Sequence, residues 1–93
     1  MEQLASAEAE IRAWCTRYLA DTLKLPPERI DPHAKFARLG LDSAMSIFFL
    51  VAIEEWLRVE LSAELVFERQ TIADVAHCLA NHPDVVRAME RRG

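Results

Sequence analysis

In this 93-residue chain the residues best placed to do chemistry are Asp42 and Ser43. They follow Gly40-Leu41 at the end of a polar stretch and open an apolar run, Ala44 to Leu57, that contains neither glycine nor proline. A serine at such a point stands at the mouth of a helix. Unpaired backbone N–H groups and the positive end of the macrodipole there favour a phosphate-bearing group. Alone, Asp42-Ser43 reads as a simple N-cap pair, since helix starts favour both residue types. Hydrolase chemistry of the Gly-x-Ser-x-Gly kind is excluded because Met45 stands where the second glycine is required. No base neighbours the serine, so an enzyme reading has little to rest on. His33, His77 and His82 share no metal-ligand spacing with Cys15 or Cys78.

These residues must be positioned by a small fold. A chain of this length buries only about two-thirds of its unfolded surface and supports one modest core. A hydrophobic content of 52% with two glycines argues for a compact helical protein rather than a disordered one. The net charge of -4 argues against nucleic acid and for basic partner surfaces. Two isolated cysteines make neither a disulfide framework nor a metal site and suggest a reducing cytosol. No segment resembles a signal peptide, and no apolar run reaches the roughly 18 residues of a membrane span. The expectation is a soluble, cytoplasmic monomer that engages neither nucleic acid nor membrane.

Apolar periodicity predicts four helices and no strand. The first spans about Ala5 to Leu23, with Ile11, Cys15, Tyr18, Leu19 and Leu23 inward and Trp14 at the edge. Leu25-Pro26-Pro27 stops it. A long loop, Pro27 to Leu41, follows, anchored by Ile30, Phe36 and Leu39. The second helix, about Ser43 to Leu57, is predicted to bury Ile47, Phe49, Leu50, Ile53 and Leu57. Met45, Phe48, Ala52 and Glu55 then face outward, which leaves that side unusually apolar. A short third helix, Ser62 to Glu68, has Leu65, Val66 and Phe67 to bury. The fourth starts at Thr71, whose hydroxyl and Asp74 form a variant capping box, and buries Ile72, Val75, Ala76 and Leu79. Asn81-His82-Pro83 ends it. Asp84 to Arg92 adds a turn or two that ends in the basic cluster Arg87, Arg91 and Arg92. One domain over 1–93 is expected, with its core at about 5–81 and a C-terminal extension at 82–93.

Taken together, the ordered landmarks resemble the acyl carrier protein family over about Ile11 to Leu79. They are Phe36 seven residues before the serine, Gly40-Leu41-Asp42-Ser43, Ile53-Glu54-Glu55-Trp56-Leu57 and Thr71-Ile72-Ala73-Asp74-Val75. Asp42-Ser43-Ala44-Met45 and Leu61-Ser62-Ala63-Glu64-Leu65 are most similar to carriers of polyketide or mixed assembly lines. The resemblance implies an all-α four-helix bundle: three longer helices, a short third helix, and a long loop between the first and second. It further implies that Ser43 receives 4'-phosphopantetheine from coenzyme A through a phosphopantetheinyl transferase. Asp42 would cap the helix and contact the transfer-step metal, and Gly40 would give the transferase room to approach.

The product would be a phosphoprotein that carries an acyl or aminoacyl group as a thioester in polyketide or related biosynthesis and is not itself an enzyme. By the same resemblance its further partners are an acyl-adenylating ligase or acyltransferase and a ketosynthase or other assembly-line enzyme. Met45, Phe48, Ala52 and Glu55 form the expected partner-binding face. Met45 and Phe48 depart from the acidic residues common there, and Arg38 in the preceding loop dilutes the acidity further. The alternative is a cofactor-free helical interaction protein with the same fold.

Overall fold

The computed structural model describes the backbone of residues 2–92 and the side-chain surroundings of residues 7–91. Among the described residues six α-helices follow one another: α1 (Glu2–Leu23), α2 (Phe36–Leu39), α3 (Ser43–Leu57), α4 (Glu64–Glu68), α5 (Ile72–Ala80) and α6 (Pro83–Arg92). A 3-10 turn, Pro27–Arg29, interrupts the loop before α2. Among the described residues there is no strand, only an isolated antiparallel bridge between Lys35 and Thr71. Among the described residues no helix is long and apolar enough to cross a membrane.

Two of these helices go beyond the predicted four. The α2 turn is too short to carry periodicity and is held by its ends. α6 starts at Pro83, which the sequence pattern treats as a stop. Proline is equally suited to the first helical position, where its missing N–H costs nothing. α6 covers the expected extension in a little under three turns, and it sends Val85 fully into the core and buries Ala88. The side chain of Arg92, part of the expected basic cluster, lies outside the described residues, while Arg87 pairs with Asp84 on the surface.

The core sits where α1 runs along α5 and α3 packs on α4 and α6. Rings tie α1 to α3. Trp56 stacks on Trp14 at 4.6 Å, Trp14 on Tyr18 at 5.4 Å, and Tyr18 on Phe49 at 5.5 Å. Phe49 then meets Phe36 edge-on at 5.6 Å. Offset and edge-on pairs like these add about 0.5–1.5 kcal/mol each beyond their area. Ile11, Cys15, Leu19, Ile72, Val75, Ala76 and Leu79 are buried as the pattern predicts, with Tyr18 and Leu23 half-buried. Burial pushes the Cys15 thiol well above its ordinary pKa, which keeps it un-ionised.

α3 turns a slightly different face inward from the one its periodicity suggests. Ser46, Phe49, Leu50, Ile53 and Leu57 are buried, whereas Ile47 is only half-buried. The buried stripe starts at Ser46, and Ile47 stands about 100° around the helix from it, at the margin. Because α3 is apolar nearly all round, periodicity alone leaves its rotation loosely fixed. The ring contacts of Phe49 settle it. Phe49→Ala is expected to destabilise the domain by about 3–5 kcal/mol, against less than about 2 kcal/mol for Ile47→Ala. Urea unfolding followed by circular dichroism measures both, and equal losses would place Ile47 inside.

Candidate functional site

Ser43 owes its position to a chain of backbone interactions that begins at the end of α1. Lys24 takes a left-handed conformation, and the Leu25 N–H reaches back to the Ala20 carbonyl at 2.9 Å, ending α1 before the prolines. Within the loop, the Asp31 carboxylate accepts the His33 N–H at 2.9 Å. The loop is pinned to the start of α5: the Phe36 N–H donates to the Gln70 carbonyl at 2.8 Å, and the Ala73 N–H to the Pro32 carbonyl at 2.9 Å. Ile30 and Phe36 anchor it in the core, and Leu39 packs half-buried against it.

The last turn before the serine is a Schellman motif. The Leu41 N–H donates to the Phe36 carbonyl at 3.0 Å, and the Gly40 N–H to the Ala37 carbonyl at 3.3 Å. Gly40 takes φ 105°, a value costly for a side chain. A Cβ there would meet only Leu23 at ordinary contact distance, so within the domain the glycine is required by the backbone turn and not by internal crowding. The buried Leu41 and Phe36 supply the apolar contact that accompanies this motif.

Asp42 caps α3. Its Oδ1 accepts the Met45 N–H at 2.8 Å, and its carbonyl accepts the Ser46 N–H at 3.0 Å. Ser43 is therefore the first residue of α3, exposed, with the Ala44 N–H beside it at the positive end of the helix. One Asp42 oxygen is engaged by the cap, and its partner oxygen is left for other contacts. A hydroxyl so placed is open to a large reactant, and a phosphate ester on it would meet N–H groups and a favourable dipole.

The expected partner-binding residues divide. Phe48 is 66% exposed and Glu55 is exposed. Met45, predicted outward, is half-buried and packed against the core, and Ala52 is half-buried too. Both stand at the margins of the buried stripe, about 100° from Ser46 and from Ile53. Their place beside Phe48 is taken by Val51, 42% exposed. Ala44, Phe48, Val51 and Glu55 recur at i, i+4, i+7 and i+11 and so form one stripe. Phe67, predicted to be buried in the short helix, is 47% exposed, while Val66 beside it is buried. A helix of five residues gives no period from which to choose between the two neighbours.

The polar residues elsewhere have local roles. The Thr71 hydroxyl accepts the Asp74 N–H at 3.1 Å, which starts α5. Glu54 Oε2 accepts the Leu61 N–H at 2.7 Å across the turn that follows α3. His77 lies 3.3 Å from the Glu8 carboxylate, and the His82 Nδ1 accepts the Asp84 N–H. An open groove passes His77, Cys78 and His82, yet among the described residues no group of three side chains could hold a metal ion.

Three comparisons bear on this arrangement. A family model described as the phosphopantetheine attachment site matches residues 14–79. The acyl carrier protein of Thermosynechococcus vestitus is 33% identical over 75 residues, covering 80% of this chain and 93% of that protein. A phenolphthiocerol/phthiocerol polyketide synthase chain of Mycobacterium tuberculosis is 32% identical over 72 residues. That match covers 77% of this chain but only 4% of the synthase's length. Among solved structures, a free-standing peptidyl carrier protein from a secondary metabolic pathway of Acinetobacter baumannii superposes with a TM-score of 0.72 at 30% identity. It covers 77% of this chain and 90% of its own.

The Asp42 cap predicts a stability effect separable from any chemistry. Asp42→Ala should cost about 1 kcal/mol, and Asp42→Asn, which keeps an accepting oxygen, a few tenths at most. Thermal unfolding of the two variants checks this, and equal losses would show that the Met45 N–H bond contributes nothing to stability.

Proposed function

The chain belongs to the phosphopantetheine-attachment family of acyl carrier proteins, and on that premise we propose that Ser43 is the residue that bears the 4'-phosphopantetheine arm. The observation that carries this reading is the exposed Ser43 hydroxyl in the first turn of α3, directly after the capping Asp42. In the transfer step the Ser43 oxygen bonds to the pantetheine-bearing phosphorus of coenzyme A and loses its proton. The anhydride bond breaks and the nucleotide half leaves. Asp42, with one oxygen held by the Met45 N–H, offers the other to the metal ion of the phosphopantetheinyl transferase. The Ser43 and Ala44 N–H groups face the new phosphate ester and favour its charge.

Once attached, the arm supplies a thiol that carries an acyl group as a thioester. The domain's own contribution is to hold Ser43 on a rigid helix end and to present a surface to successive enzymes. The proposed partners after the transferase are an acyl-adenylating ligase or acyltransferase and a ketosynthase or similar assembly-line enzyme. Working as a cytoplasmic monomer, the carrier itself catalyses nothing. The polyketide synthase and peptidyl carrier relatives support a place in secondary metabolism. Ser43, Asp42 and the family match all favour a carrier over a cofactor-free interaction protein.

Incubation with coenzyme A, magnesium and a broad-range transferase should add a single phosphopantetheine, located on Ser43 by mass spectrometry of peptides. Ser43→Ala should fold as the parent does and gain no mass. A group found on Ser46 or Ser62, or no gain by the parent, would overturn the assignment.

A further inference from the structure

The starts of α3, α5 and α6 are each closed by the side chain of the N-cap residue: Asp42, Thr71 and His82. The three caps differ in chemistry. A hydroxyl accepts a hydrogen bond whatever the pH, and a carboxyl group keeps accepting capacity even when protonated. An imidazole does not: its neutral form has one accepting nitrogen and its protonated form has none. His82 Nδ1 accepts the Asp84 N–H at 3.2 Å, which places the ring proton on Nε2, and the His82 carbonyl accepts the Val86 N–H at 2.9 Å. Pro83, the first residue of α6, has no N–H to contribute. The side-chain bond that starts α6 is therefore one that a single proton abolishes.

What that bond holds is particular to this chain. α6 lies wholly outside residues 14–79, the stretch that the family model matches. It follows α5 after only Asn81 and His82, so the cap residue is also the joint. Its inner face buries Val85 and Ala88, with Met89 half-buried beside them, against α5 and α3. Its outer face, Val86, Arg87, Glu90 and Arg91, is exposed. The contacts of Phe49 with Tyr18 and Phe36 involve no residue of α6, so this helix can turn outward about His82 without unmaking them.

We propose that His82 makes α6 a pH-sensitive latch, docked while the imidazole is neutral and released when it takes up a proton. The inference stands apart from the reading of Ser43 as the attachment point. A proton from solvent bonds to Nδ1 through the lone pair that had accepted the Asp84 N–H. The cap is lost, and a cation then faces the positive end of α6. The charged groups around the ring act on that cation. On α6, the Asp84 carboxylate is engaged by Arg87. The end of α4 brings Glu68 and Arg69 to the groove that His82 lines, and α5 brings Asp74, His77 and Cys78. Neither α1 nor α3 contributes a described side chain to that groove. Arg69 repels the imidazolium, whereas Glu68 and Asp74 draw it into the groove and away from the cap. His77 stands 3.3 Å from the Glu8 carboxylate, so its own protonation strengthens a contact between α1 and α5, an effect of opposite sign. Because only the docked state uses the neutral ring of His82, the latch is tight above the imidazole range. It loosens as pH falls through that range, between about pH 8 and about pH 5.

Hydrogen exchange of the full chain, followed by NMR, reads the latch directly. After correction for intrinsic exchange, protection of the Ala88 and Met89 amides should fall about tenfold between about pH 7.5 and about pH 5, the loss of one cap with one unfavourable dipole contact. The Ile53 and Val75 amides, in α3 and α5, should change by less than about twofold, since local opening leaves the rest of the domain folded. His82→Asn and His82→Ser each keep an accepting cap that does not titrate, and both should hold the parent's higher protection of α6 at both pH values. His82→Ala should show the lower protection at both. His77→Gln should retain the parent's pH dependence. Circular dichroism confirms folding, and if one cap variant fails to fold the other decides. A parent whose α6 protection is flat with pH would overturn the proposal, as would cap variants that still lose protection in acid. Equal losses at Ile53 and Val75 would overturn it too, because the domain would then open as one unit.

Discussion

The fold depends on Phe49. A domain of this size has little apolar area with which to offset the entropy of ordering its chain. Phe49 is fully buried and joins the two parts that must not drift apart: Tyr18 of α1 on one side and Phe36 of the loop on the other. Its burial sets the rotation of α3 about its own axis. That rotation decides which residues face inward, which face the solvent, and where Ser43 emerges. The same contact reaches the serine by a second path, because Phe36 is the first residue of the turn that delivers Asp42 and Ser43 to the helix mouth.

Much of this is legible in the sequence, and the parts that are not share a cause. Asp42 and Thr71 declare their caps because short acceptor side chains at helix starts have one dominant use. Ile11, Cys15, Leu19, Ile72, Val75 and Leu79 declare their faces because polar residues separate them. α3 lacks that contrast. With apolar residues on nearly every side, its rotation is fixed by packing against α1 and the loop, which lie far away in sequence, so Ile47 and Met45 stand at margins rather than where their periodicity suggests. Phe67 belongs to a helix too short to show a period. Pro83 is ambiguous in principle, since the same ring that ends one helix suits the first position of the next.

The charge distribution separates two tasks. The charges of the described chain lie mainly on α1, on the loop, and on α4 to α6, where exposed pairs such as Arg87 with Asp84 and Arg12 with Glu8 serve solubility and contribute little to stability. The helix that carries the serine is left apolar on both sides: one side is satisfied by the core and the other is exposed. Exposing the Phe48 ring on the helix that bears the reactive group is tolerable because the buried side of the same helix secures the fold independently.

The hydrogen bonds that fasten the loop to α5 run between main-chain atoms, from Phe36 to Gln70 and from Ala73 to Pro32. Main-chain donors and acceptors are present whatever side chain is attached, with proline the single exception. The side chains of Lys35 and Arg38 are therefore released from any duty to these bonds. Over evolutionary time their identities can drift to suit new associates while the loop keeps its path. A lineage of such chains could thus alter the character of the loop's outer surface without moving the serine.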